Sequence, residues 1–141
     1  MRTRTVLVAG LAGVLAAGSL APAVAAPKRK PIKLAWTASA TPDPSSSNVN
    51  GTCVPTIPTA IHHHTFKVPA AGTLEVTLNN TLDWSVAIRE GDETLVDADG
   101  GSPEIVETVS IKFKKATTVS IDSCNFAGEP QISPTGTFTF K

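Results

Sequence analysis

The chain has 141 residues, of which 41% are hydrophobic, 17% charged and 5% aromatic, and its twelve basic residues balance its twelve acidic ones. This length excludes a large multidomain protein, and the neutral balance removes the overall positive charge that drives non-specific binding to nucleic acid. We therefore expect no nucleic-acid partner.

The N-terminal segment has the features of a secretory signal peptide. Arg2 and Arg4 precede an apolar run over residues 6–20. Residues 23–25, Ala-Val-Ala, then provide the small side chains that a signal peptidase recognises. A membrane anchor is the alternative, but the apolar run is shorter than the roughly 20 residues that a bilayer requires. The sequence predicts a signal peptide over residues 1–25, cleavage after Ala25, and a secreted protein without a membrane span in the remainder.

A basic leader, residues 26–33, precedes a more acidic domain, residues 34–141. Four of the eight leader residues are basic, whereas the domain carries six basic and twelve acidic residues. The leader is either an adhesive segment for anionic surfaces or a solvated, disordered extension held open by Pro27 and Pro31. The second interpretation is favoured, because blocks of like charge near a terminus usually stay in water.

Cys53 and Cys124 are the two cysteines of the chain. Export would place them in an oxidising compartment, where an even number of cysteines favours a disulfide. The bond would close a loop of about 70 residues and contribute on the order of 4 kcal/mol in the chain-entropy treatment. A redox-active pair is the alternative, but the C-x-x-C spacing of such pairs is absent.

Short stretches with a period of two follow one another along the domain, which is typical of strands with one solvated face. Residues 40–59 are rich in Pro, Ser, Thr and Asn, and they predict a loop or an irregular edge strand. The predicted strands are residues 34–40, 65–68, 73–78, 83–89, 94–96, 105–113, 117–121 and 135–140. About eight short strands without helical periodicity predict an all-β fold, an antiparallel β-sandwich of the jelly-roll kind or a barrel.

Two details of these strands bear on function. Trp84, Val86 and Ile88 alternate with smaller or polar residues, so we expect these three on the buried face and their neighbours on the solvated face. Trp36 stands in a similar alternating register. Both tryptophans are therefore interpreted as core residues rather than as platforms for stacking sugars.

Several segments together resemble the bacterial pre-peptidase C-terminal family. They are residues 65–78 (TFKVPAAGTLEVTL, with a hairpin at VPAAGT), 83–88 (DWSVAI), 97–100 (DADG), 118–125 (TVSIDSCN) and 136–140 (GTFTF). The similarity covers residues 65–141. Members of that family are small secreted β-sandwiches appended to extracellular peptidases and other hydrolases. The resemblance implies a non-catalytic accessory domain that acts in secretion or in binding to substrate or matrix.

Three consecutive histidines, residues 62–64, are a candidate metal site. On an extended chain His62 and His64 project to the same side, roughly 6.5 to 7 Å apart, which suits two imidazoles on one Zn²⁺ or Cu²⁺ ion. The alternative is that they are polar surface residues, since the chain offers no further histidine to complete the site.

A second candidate metal site consists of acidic residues around two glycine-containing turns: Asp92, Glu93, Asp97 and Asp99. Oxygen ligands on flexible turns suit Ca²⁺. The resemblance also implies a calcium site, since some members of that family bind calcium. The spacing departs from that of an EF-hand loop. The favoured alternative is that these carboxylates solvate the turns and form Asx turns.

Catalysis has little support in the sequence. No Gly-x-Ser-x-Gly nucleophile motif is present, although a pair of carboxylates suited to glycoside cleavage is left open. The sequence favours a secreted, non-catalytic module without a cofactor that binds an extracellular glycan, peptide or wall component. The alternatives are a protein that binds divalent ions and a purely structural surface protein.

Overall fold

The computed structural model of the chain describes residues 28–44, 53–79, 83–98 and 106–141. The predicted cleavage site at Ala25 lies outside these residues. Within them the chain forms β1 (Ile32–Ala35), β2 (Ala38–Ser39), a 3₁₀ turn (Pro58–Ala60), β3 (Ile61–Val68), β4 (Gly72–Asn79), β5 (Trp84–Glu90), β6 (Glu93–Ala98), β7 (Val106–Phe113), β8 (Thr117–Asn125), β9 (Gln131–Ile132) and β10 (Thr135–Phe140). The predicted all-β class is confirmed.

The strands form two four-stranded antiparallel sheets that pack face to face. The first sheet has the order β1-β10-β4-β7 and the second has the order β3-β8-β5-β6, while β2 and β9 form a small separate pair. Leu74 and Phe138 from the first sheet and Ile88 and Ile121 from the second are among the fully buried core side chains. The predicted β-sandwich is therefore confirmed. No helix in the described part of the chain is long and apolar enough to cross a membrane.

Alternation along the first sheet follows the prediction closely. In β4, Leu74, Val76 and Leu78 are buried, whereas Glu75 on the opposite face is exposed. Because successive side chains of a strand point to opposite faces, an alternating sequence places one set in the core. The large apolar residues of β4 thus fix which face of the strand packs against the second sheet.

The connection from β3 to β4 differs from the expected hairpin. The two strands belong to opposite sheets, so residues 69–71 cross from one layer of the sandwich to the other. An alternating pattern indicates a strand but not its partner. The short turn between the two strands suggested that they pair with each other, which they do not. The expected strand over residues 34–40 is also divided, because the chain passes from β1 in the first sheet to β2 in the separate pair.

The solvated face expected for β5 is buried. Ser85 and Ala87 are fully buried, as are the core residues between which they alternate. The cause is the segment that carries Cys53, which lies against the outer face of the second sheet, where Cys53, Ala87, Cys124 and Phe126 form a second apolar cluster. A segment distant in sequence therefore buries the face of β5 that the alternating pattern predicts to be solvated.

The predicted disulfide between Cys53 and Cys124 is present, with the two Cα atoms 5.4 Å apart. Asp43 holds the same segment, because its Oδ2 atom accepts hydrogen bonds from the backbone N–H of Thr56 at 2.6 Å, the Thr56 hydroxyl at 2.7 Å and the backbone N–H of Ile57 at 3.2 Å. A covalent bond and a buried carboxylate thus both fix the covering segment on the sandwich.

Candidate binding site

An open cavity of about 520 Å³ lies at one end of the sandwich, where β4 begins and where β7 and β10 end. The strand register explains its shape. Gly72 pairs with Phe113 on one side and with Phe140 on the other, so two phenyl rings flank a residue without a side chain. The cavity is consequently walled by aromatic side chains at its edges.

The glycine between the rings is required by close packing. A Cβ atom on Gly72 would lie 2.4 Å from Cζ of Phe138 and 2.4 Å from the carbonyl oxygen of Thr139. Phe138 in turn meets Phe140 edge to face, with ring centroids 5.2 Å apart. The fully buried Phe138 ring thus supports the partly buried Phe140 ring at the wall of the cavity.

Three of the residues that line the cavity are basic. Lys112, Lys114 and Lys141 line it, and none of its described lining residues is acidic. The guanidinium of Arg29 lies 5.3 Å from the centroid of the Phe140 ring, within the range of a cation–π contact. Arg29 therefore contacts the sandwich although it is exposed, and the interpretation of the basic leader as a solvated extension stays a prediction.

A carboxylate lies in a neighbouring depression. Glu90 lines a smaller cavity of about 260 Å³ that shares Lys112, Phe113 and Lys114 with the first. The Thr117 hydroxyl donates a hydrogen bond to this carboxylate. Among the described residues, the cavity between the two phenyl rings is thus lined by basic but no acidic side chains, and the adjoining depression brings one carboxylate near two of the same lysines.

The middle histidine of the triplet is part of a polar network on the outer face of the second sheet. His63 Nδ1 lies 2.7 Å from Oδ1 of Asp122, and Nε of Arg89 lies 3.2 Å from Oδ2 of the same carboxylate. Ser120 also donates a hydrogen bond to Asp122. The Arg89 guanidinium donates a further hydrogen bond, of 2.9 Å, to the carbonyl oxygen of Cys53. This network joins β3, β8 and β5 to the disulfide segment.

The outer two histidines lie on the opposite face of β3. His64 stacks on Trp36, with ring centroids 4.4 Å apart and ring planes 9° from parallel. Burial lowers the pKa of His64 below its usual 6.5, and the nearby His62 lowers it further. His62 Nδ1 accepts a long hydrogen bond of 3.4 Å from the backbone N–H of Ser39. Trp36 is partly buried against the core, and Trp84 is fully buried in it.

The acidic candidates are dispersed in the part of the chain that the structure describes. Asp92 lies in the turn between β5 and β6, whereas Asp97 lies near the far end of β6, more than about 10 Å along the strand. Asp99 lies outside the described residues. Within the described ranges, no three His, Cys, Asp or Glu side chains are grouped so that they could hold a metal ion. The calcium site and the zinc or copper site at His62 and His64 stay predictions.

The sequence alone does not predict the contacts that form the cavity and the polar network. Phe113 and Phe140 were visible only as members of alternating strands, and nothing local indicated that both would flank Gly72. The contact between His63 and Asp122 depends on the register of β3 against β8, which pairs these two residues directly. No protein-family model and no curated protein matches the chain. The resemblance to the pre-peptidase C-terminal family stays a prediction.

Proposed function

We propose that this protein is a secreted, non-catalytic module that binds an extracellular glycan, peptide or wall component at the cavity between Phe113 and Phe140. The cavity itself carries the proposal, since binding sites are typically concave, mostly apolar and equipped with a few polar groups. Its volume of about 520 Å³ suits one or two units of a polymer. The open end of the sandwich leaves a longer chain free to continue into solvent.

The chemistry of the lining supports binding rather than turnover. Hydrolysis of a glycan or peptide commonly needs a pair of carboxylates, or a nucleophile beside a base. The described lining residues offer lysine ammonium groups, threonine hydroxyls and phenyl rings, but neither a histidine nor a carboxylate side chain. Asp122 and His63, which do form an acid–base pair, lie on the other sheet and are engaged with each other.

Secretion is supported by two independent features. The predicted signal peptide over residues 1–25 would direct export, and the disulfide between Cys53 and Cys124 is typical of proteins that reside in an oxidising compartment. The partners on this proposal are extracellular polymers or secreted proteins.

Retention on insoluble polymers tests the function. The exported, oxidised protein is incubated with cellulose, chitin, peptidoglycan, xylan and immobilised extracellular peptides, and its depletion from solution is measured together with any release of soluble products. We expect retention on at least one material without products, reduced at least about tenfold by Phe113→Leu/Phe140→Leu. Val106→Ala, at the opposite and exposed end of β7, is the matched control. Release of products, or retention unaffected by the double leucine variant, contradicts the proposal.

A further inference from the structure

We infer that the ligand of this cavity is an acidic polysaccharide, a chain of sugar rings that carry carboxylates. The inference rests on the proposed binding function and names the class of ligand. Two observations carry it, namely the concentration of positive charge around the cavity and the pair of phenyl rings that wall it.

The cavity at this end of the sandwich is lined by basic residues, whereas the domain as a whole is acidic. Residues 34–141 carry twelve acidic residues and six basic ones. Three of those six, Lys112, Lys114 and Lys141, line this one cavity, whose described lining contains no acidic side chain. Like charges that gather in a concave site attract and orient an anion, whereas dispersed charges do not. A neutral polymer makes no use of this arrangement.

Arg29 adds a fourth cation from outside the domain. Its guanidinium lies over the Phe140 ring, at the edge of the same cavity. A guanidinium binds a carboxylate through two parallel hydrogen bonds, a geometry that an ammonium group lacks. A carboxylate at this edge would be held by Arg29 on one side and by the lysines on the other. The basic leader thereby gains a role at the binding site.

The phenyl rings favour a sugar over an acidic peptide. A sugar ring presents a flat face of C–H groups, which packs on an aromatic ring and buries apolar area there. Aspartate and glutamate side chains offer no such face. Phe113 and Phe140 lie on either side of Gly72, and Lys112 and Lys114 flank Phe113 in the chain, so a sugar ring that packs on Phe113 lies beside two basic residues that line the same cavity.

Calorimetric titration with three soluble polymers tests the inference. The probes are polygalacturonate, neutral dextran and poly-L-glutamate, each added to the exported, oxidised protein in low salt and again in high salt. The variants are Lys112→Gln/Lys114→Gln in the cavity and Phe140→Leu in its wall. Lys33→Gln/Lys67→Gln is the matched control, since it removes the same charge from positions away from the cavity.

We expect polygalacturonate to bind best and to weaken with added salt. Its affinity should fall at least about tenfold in the cavity lysine variant and in Phe140→Leu, and less than about twofold in the control. Equal losses in both lysine variants would mean diffuse attraction and overturn the inference. Poly-L-glutamate binding as tightly, without dependence on Phe140, would identify an acidic peptide instead and also overturn it.

The same experiment separates this inference from the proposed function. If dextran or an insoluble neutral glycan binds in a manner that depends on Phe140 but not on the lysines, the binding module stands and the acidic ligand is wrong. If polygalacturonate fails to bind, the acidic ligand is likewise wrong, and the retention assays decide the function independently.

Discussion

Trp36 and His64 form a stacked pair across the small β2–β9 side of the sandwich, with ring centroids 4.4 Å apart and planes within 9° of parallel. Stacking on the indole takes the imidazole partly out of water, and burial is the larger of the two causes that lower the pKa of His64. The positive charge that His62 carries when protonated is the second cause. The charged form of His64 is therefore disfavoured in the folded protein.

The lowered pKa of His64 predicts that the free energy of unfolding falls as the solution is acidified below pH 6.5. In the window between the folded pKa and the unfolded value of 6.5, the unfolded chain binds more protons, so stability rises with pH there. The stabilising contribution is fully present above that window, and it is lost as the pH falls to the folded pKa. Urea unfolding at intervals between about pH 8 and about pH 5 measures this slope.

Two variants isolate the histidine responsible. His64→Phe keeps a ring against Trp36 but cannot titrate, so the slope should become shallower. His62→Gln removes the neighbouring charge, and the pKa of His64 in an NMR titration should rise towards its usual value while staying below it. An unchanged slope in His64→Phe, with its stability intact, would show that another group governs the acid dependence.

Asn125 is expected to be a critical polar residue of the interior. Its side chain is fully buried, where the amide nitrogen donates to the carbonyl oxygen of Ala40 at 3.0 Å and to that of Glu129 at 3.1 Å, while its oxygen accepts from the N–H of Gly128 at 2.7 Å. Asn125→Ala removes these hydrogen bonds from the Gly128 N–H and the Ala40 carbonyl oxygen, whereas the Glu129 carbonyl oxygen keeps the one from Trp84 Nε1, and it should cost about 3 kcal/mol or more. Urea unfolding measures the loss, and Asn79→Ala, at an exposed position of β4, should change stability by less than about 0.5 kcal/mol.

Gly128 is expected to tolerate no side chain. A Cβ atom there would lie 2.2 Å from both Cδ1 and Nε1 of Trp84, a fully buried ring whose Nε1 also donates to the Glu129 carbonyl at 3.1 Å. Gly128→Ala should therefore destabilise the fold by about 2 kcal/mol or more, since the indole cannot move without disturbing the core. Thermal unfolding tests it.

Gly136→Ala is the control for that substitution. A Cβ atom at Gly136 would lie 3.2 Å from Cδ1 of Leu34, the flexible end of a partly buried side chain, and 3.3 Å from the carbonyl oxygen of Glu75, contacts about 1 Å longer than those with Trp84 at Gly128. Its effect should be clearly the smaller of the two. Equal melting temperatures for the two variants would mean that the Trp84 ring is free to relax.

The sequence predicts the fold well wherever each strand buries only one face. In β4 and β10, alternation around Leu74, Val76 and Phe138 identifies both the strand and its buried face, because the outer face of the first sheet remains in water. The prediction fails at Ala87, whose side is covered by the segment carrying Cys53. The local alternation of residues does not show that a segment more than thirty positions away buries this face of the strand.

The candidate site was less predictable than the fold for the same physical reason. Phe140 flanks Gly72 because β10 pairs with β4, and Arg29 reaches Phe140 because β1 pairs with β10 and so brings the leader to that end of the sandwich. These are relations of strand order and register. Hydrophobic patterning in one sequence identifies strands, but it leaves their order open.

Asp122 is expected to be the critical residue of the charge network on the outer face of the second sheet. Its carboxylate side chain is only 5% exposed and lies between Arg89 and His63, whose side chains are 24% and 61% exposed. Asp122→Ala leaves the partly buried Arg89 guanidinium without its carboxylate and should cost on the order of 3 kcal/mol. His63→Ala should cost less than about 1 kcal/mol, because an exposed partner gains little from the pair.

In the double variant Asp122→Ala/Arg89→Met the unpaired cation is absent, so the double variant should be more stable than Asp122→Ala alone. Urea unfolding of Asp122→Ala, Arg89→Met and the double variant completes a double-mutant cycle, and additive losses would show that Asp122 and Arg89 act independently.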